Sequence, residues 1–113
     1  MIRYTQMKFG LLQYSIIILS IATALIHIAL AIPNNLIMFY LNGFGYILLV
    51  VMLYLPRLRN HQTAVRFIFI AYTAVTIFGW AILGERTVVA YLDKIIELSL
   101  LVSLWMEHLQ MNA

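Results

Sequence analysis

The 113-residue chain has no cysteine, which excludes a disulfide framework, a thiolate metal site and thiol catalysis, and leaves the redox compartment unmarked. Charge is scarce as well, at 10% of residues against about 25% in soluble domains. Four acidic and seven basic residues give a net charge of +3, too small and too dispersed for a nucleic-acid patch. Two prolines and five glycines leave no linker or low-complexity segment, and residues 1–113 read as one domain. Zinc-protease, P-loop and nucleotide-binding signatures are missing, so the chain reads as a non-enzyme without a cofactor. Hydrophobic residues make up 65% of it, more apolar surface than a chain this short could hide from water. A lipid bilayer is the solvent it requires.

Four apolar runs, approximately 11–32, 37–55, 65–83 and 87–106, each have the length an α-helix needs to cross about 30 Å of hydrocarbon. They do not alternate with period two, which argues against a barrel. Their dividers are short: Pro33-Asn34-Asn35, then 56–64, then Gly84-Glu85-Arg86. Such connections make neighbouring helices run antiparallel and touch. Asn34 or Asn35 is placed to cap the second helix, Thr87 the fourth, and Gly84 to close the third in the left-handed conformation. Arg3 and Lys8 before the first run, and Ala29-Leu30-Ala31 near its end, resemble a secretory signal. The run exceeds the 7–15 or so apolar residues of such a signal, and we read it as a retained span. The expected fold is an all-α, up-down four-helix transmembrane bundle.

Basic residues set its orientation. Arg3, Lys8, Arg57, Arg59 and Arg66 fall on one side and Arg86 alone on the other. The positive-inside rule then places both termini and the middle loop in the cytoplasm, in an inner or plasma membrane. Tyr4, Phe9, Tyr54 and Trp105 belong to the inner interface, and Tyr40, Trp80 and Tyr91 to the outer one.

The fourth run is the anomaly, because it carries Asp93, Lys94 and Glu97. Three such groups cost roughly 8–10 kcal/mol at a bilayer centre. The ten Leu, Ile and Val residues between Thr87 and Met106 return only about 3–6 kcal/mol. This helix needs partners. At 100° per residue, Arg86, Ala90, Asp93, Lys94, Glu97, Leu101, Leu104 and His108 share one arc. Leu92, Ile95, Ile96, Ser99, Val102 and Ser103 lie opposite, facing lipid or another subunit. On the first helix Gln13, Ser20, Thr23, Ala24, His27 and Ala31 share a face. His27 matches Asp93 and Lys94 in depth, as do Asn42 and Thr76. The expectation is one polar cluster of His27, Asn42, Thr76, Asp93, Lys94 and Glu97.

Such a cluster fits a structural or accessory subunit of a larger membrane complex or homo-oligomer, its buried polar groups fixing helix register. The alternative is a minimal oligomeric proton-coupled transporter or proton pathway through Asp93, Lys94 and Glu97. A third reading makes His27 an axial ligand to a tetrapyrrole, with Thr23, Ala24 and Ala31 giving room; His61 and His108 lie at the wrong depth to be its partner. Asn42-Gly43-Phe44-Gly45 reads as tight helix packing, and Ser99 and Ser103 as a weak docking motif. Length and span number resemble those of small multidrug exporters. Those act through an embedded glutamate in the first helix, where this chain has no acid, so the resemblance is one of size. The expected partners are lipid and other membrane subunits or further copies of the chain.

Overall fold

The computed structural model describes residues 10–34, 37–84 and 86–111, and all their regular structure is helical. Helix α1 covers Leu11–Asn34, α2 Ile37–Tyr54, a 3-10 turn Pro56–His61, α3 Gln62–Leu83 and α4 Val88–Met111. The expected roles of Arg3, Tyr4, Lys8, Phe9, Asn35 and Glu85, and of the Asn34 side chain, lie outside the described residues and side chains.

Local chemistry explains these bounds, including those the sequence misplaces. Pro33 sits in the last turn of α1, where its missing N–H removes one hydrogen bond near an end that frays anyway. The helix therefore runs past 32. Pro56 opens the 3-10 turn, which leads directly into α3 at Gln62, ahead of the expected start at 65. Thr87 caps α4 as expected, its hydroxyl accepting from the Ala90 N–H at 3.1 Å. Gly84 does not take the left-handed conformation. Its backbone is extended (φ −81°, ψ 161°), and its N–H donates to the Trp80 carbonyl at 2.8 Å. The residue is small because a Cβ there would collide with the Trp80 ring.

Helix α1 packs on α2 and α4, and α3 also packs on α2 and α4. The buried positions step by three and four: Gln13, Ile16, Ser20, Thr23 and His27 on α1; Gln62, Arg66, Phe69 and Thr73 on α3; Asp93, Glu97, Leu100, Leu104 and Glu107 on α4. That mean of 3.5 keeps one seam facing its neighbours, whereas an ideal straight helix drifts by about 20° per heptad. The drift corrects the expected α4 arc. Arg86 is exposed and Leu101 and His108 only half-buried, while Leu100 and Glu107 are buried in their place. Between α1 and α2, a Cβ on Gly43 would lie 2.8 Å from the Ala24 carbonyl oxygen and 2.7 Å from Ile28. The glycine is the close-approach point.

Polarity is distributed inside out. Among the described residues, eleven buried apolar side chains are matched by eleven buried polar or charged ones, while Leu11, Ile18, Leu25, Leu48, Ile82 and Leu92 are among the large apolar side chains left exposed. A water-soluble domain does the reverse. Among the described residues, three helical segments, Leu11–Pro33, Ile37–Tyr54 and Pro56–Leu83, are long and apolar enough to cross a membrane. The fourth expected span, 87–106, is not among them. Helix α4 has 24 residues, so its charges and not its length set it apart.

Candidate functional site

The seams of α1, α2 and α4 gather one set of charges around Glu97. Lys94 lies one turn before Glu97 on the same helix, and its Nζ donates to Glu97 Oε1 at 2.6 Å while standing 3.4 Å from Asp93 Oδ2. The other carboxylate oxygen, Oε2, accepts from the Tyr46 hydroxyl at 2.8 Å. From α1, the Thr23 hydroxyl donates to Asp93 Oδ1 at 2.5 Å, with Glu97 Oε2 a longer alternative at 3.2 Å. His27 Nδ1 lies 2.8 Å from the Thr23 carbonyl oxygen. That nitrogen must be the N–H, since a carbonyl only accepts. Nε2 then faces the two carboxylates, 3.7 Å from Asp93 Oδ2 and 3.8 Å from Glu97 Oε2. With His27 protonated, two cations meet two anions and the cluster is neutral.

The cluster is shut. Glu97 is fully buried and His27, Asp93 and Lys94 are at most 7% exposed. His27, Asp93 and Glu97 do bring three donor atoms within 4.8 Å of one another, a spacing that suits a cation. Lys94 already supplies one among the same oxygens. A tetrapyrrole on His27 meets a further obstacle. Both ring nitrogens are engaged, and the ring packs against Phe39 and Tyr46, each with centroids 5.8 Å away.

Of the six expected members, His27, Asp93, Lys94 and Glu97 come together; Asn42 and Thr76 do not join their hydrogen bonds. The Asn42 backbone carbonyl accepts from Tyr72 at 2.8 Å, and its side-chain oxygen is buried with no hydrogen-bond partner. The Thr76 hydroxyl turns back to the Tyr72 carbonyl at 2.9 Å, near enough to the Tyr46 hydroxyl to act on it. Thr23 and Tyr46 take the places assigned to them. Rotation about the α2 and α3 axes, which counting residues does not give, decides which side chain arrives.

A second cluster surrounds Glu107, at the other end of the same seams. Gln13 Nε2 and the Tyr54 hydroxyl donate to Glu107 Oε2 at 3.1 and 2.7 Å. Arg66 Nε donates to Oε1 at 2.9 Å. The Gly10 N–H donates to the Gln13 side-chain oxygen Oε1 at 3.0 Å, which turns the amide nitrogen toward Glu107. Gln62 reaches the Leu53 carbonyl at 3.2 Å, tying the start of α3 to the end of α2. Arg66 is fully buried, yet its Nη1 and Nη2 have no hydrogen-bond partner among the described residues. A buried donor left unsatisfied costs about 1–3 kcal/mol.

Sequence reasoning missed this cluster for two reasons. It closed the fourth run at 106, one residue before Glu107, and it counted Arg66 only as a loop charge. Continuing the step of three and four from Asp93 and Glu97 reaches Glu107 directly. Comparison with protein-family profiles, curated proteins and solved structures returns no match.

Proposed function

We propose that the chain is a small, non-catalytic integral membrane protein, an up-down four-helix bundle with both termini cytoplasmic, serving as a structural or accessory subunit of a larger membrane complex or homo-oligomer. The observation that carries this reading is the polarity: Asp93, Glu97 and Glu107 are buried facing Lys94 and Arg66, while many large apolar side chains lie on the outer surface. In hydrocarbon, polar groups must find partners within the protein. Support for the up-down order comes from paired ends. Gln13 meets Glu107 and Thr23 meets Asp93, so α1 and α4 run oppositely; Arg66 meets Glu107 and Trp80 meets Tyr91, so α3 and α4 do too. Helix α4 inserts because its charges are covered by α1, α2 and α3.

Arg66 turns inward to Glu107, so orientation rests on Arg3, Lys8, Arg57 and Arg59 against Arg86. At the opposite end, the Arg86 guanidinium carbon stacks 4.3 Å from the Trp80 ring centroid, and Trp80 meets Tyr91 edge-on at 5.3 Å. That grouping suits a headgroup interface. Ser99 is exposed and Ser103 half-buried on the outer side of α4, which fits docking of another helix.

Isolation from the native membrane in mild detergent, followed by mass determination and identification of copurifying chains, tests the accessory role. A defined assembly larger than one chain is expected; a lone monomer would overturn it. The transport reading has one observation in its favour, the buried polar seam from Gln13 through Ser20 and Thr23 to His27 on α1, which links the two carboxylate clusters. Against it, Ser20 is spent on the Ile16 carbonyl at 2.6 Å, and Ile16, Leu100 and Leu104 are apolar, fully buried groups on the seams between the clusters. Proton flux into liposomes carrying the protein, abolished by Glu97→Gln, would reverse that ranking.

A further inference from the structure

The Glu107 cluster contains a group whose chemistry is unfinished. Arg66 offers five N–H donors and spends one, from Nε, on Glu107. Nη1 and Nη2, both buried, have no hydrogen-bond partner among the described residues. Arginine and carboxylate ordinarily pair through two parallel hydrogen bonds. Here Glu107 cannot turn to give the second, because its other oxygen is held by Gln13 and Tyr54. The carboxylate thus fixes the guanidinium by one edge and leaves the Nη side of the fork unused.

We propose that this Nη pair is the anchor of a binding site for a phosphate-type oxyanion, the headgroup phosphate of an anionic lipid or a free phosphate. Two nitrogens of a planar fork match two oxygens of one phosphate. Glu107 neutralises one positive charge at this end, yet exposed Arg57 and half-buried Arg59 stand in the turn that leads into α3. The excess positive charge favours an anion over a neutral acceptor. The inference rests on the membrane reading above, which places this end at the level of cytoplasmic-leaflet headgroups. Because the two nitrogens have no open surface, the phosphate reaches them by displacing neighbouring side chains, and slow release of the bound molecule is expected.

The test uses the full-length chain in a mild non-ionic detergent, with native mass spectrometry and thermal unfolding. Separate arms add phosphatidic acid, phosphatidylglycerol, phosphatidylcholine of the same acyl chains, or inorganic phosphate. One anionic lipid retained per chain, in preference to phosphatidylcholine, supports the site with lipid as its source. A rise in unfolding temperature with inorganic phosphate, absent with the lipids, supports it with free phosphate as its source. Arg66→Lys keeps a cation for Glu107 but lacks the fork, and should lower occupancy about tenfold. If that variant does not fold, the selectivity of the wild-type chain decides. Equal retention of anionic and neutral lipid with no phosphate effect overturns the proposal, and leaves ordered water as the partner of Arg66. Carbonate extraction separates the two failures: release from the membrane would sink the membrane reading itself, whereas retention without selectivity sinks only the oxyanion site.

Discussion

The two buried clusters solve the same problem differently. Around Glu97, both carboxylates and the lysine come from one helix within two turns, and α1 and α2 supply His27, Thr23 and Tyr46 to complete them. Around Glu107, a single carboxylate collects donors from α1, α2 and α3. The first is largely local and redundant, since Lys94 and His27 each face two acids. The second joins all four helices through one residue. Redundancy predicts tolerance, and convergence predicts fragility.

The largest effect is therefore expected at the convergent site. Glu107→Ala removes the carboxylate that Arg66 is hydrogen-bonded to and should cost about 3–5 kcal/mol, visible as a large fall in the thermal midpoint followed by helical circular dichroism in detergent. Glu97→Ala should cost less, about 1.5–3 kcal/mol for the lost charged hydrogen bonds, because Asp93 can still accept from Lys94. A larger loss at Glu97 than at Glu107 would reverse the comparison. Tyr54→Phe and Tyr46→Phe each delete one hydroxyl from one carboxylate. Both should fall near ~0.6 kcal/mol, and an unequal pair would show which carboxylate relies more on its tyrosine. Smallest is Leu92→Ala on the exposed face of α4, expected within about 0.5 kcal/mol in the same melt. A marked loss there would mean that this face is covered by a partner.

Much of the Glu97 cluster was legible in the sequence because helical periodicity is local information. Gln13, Ser20, Thr23, Ala24, His27 and Ala31 share a face by spacing alone, and all six are buried. Asp93, Lys94 and Glu97 announce themselves by cost. His27 lies against the acids, whereas the hydroxyl of Thr76 and the side chain of Asn42 turn elsewhere, because depth follows from counting residues whereas rotation depends on packing. Tyr46 was hidden by its type: a tyrosine within an apolar run gives no sign that its hydroxyl will meet a carboxylate. Glu107 was lost to a boundary set by hydrocarbon thickness when the helix itself runs on to Met111. Arg66 was lost because a basic residue in a loop-proximal turn already had an explanation. Gly84 illustrates a third kind of miss, since its role depends on where the Trp80 ring lies.

The bundle is held from within by charges that answer one another, and the Arg66–Glu107 pair is where that claim is most exposed. A double-mutant cycle of Arg66→Met, Glu107→Met and the two together, read as unfolding stability in detergent, measures it. Each single change should cost about 3–5 kcal/mol and the double change far less than their sum, because an apolar pair can replace a buried ion pair of similar volume. Additive losses, with no coupling between the two positions, would contradict it.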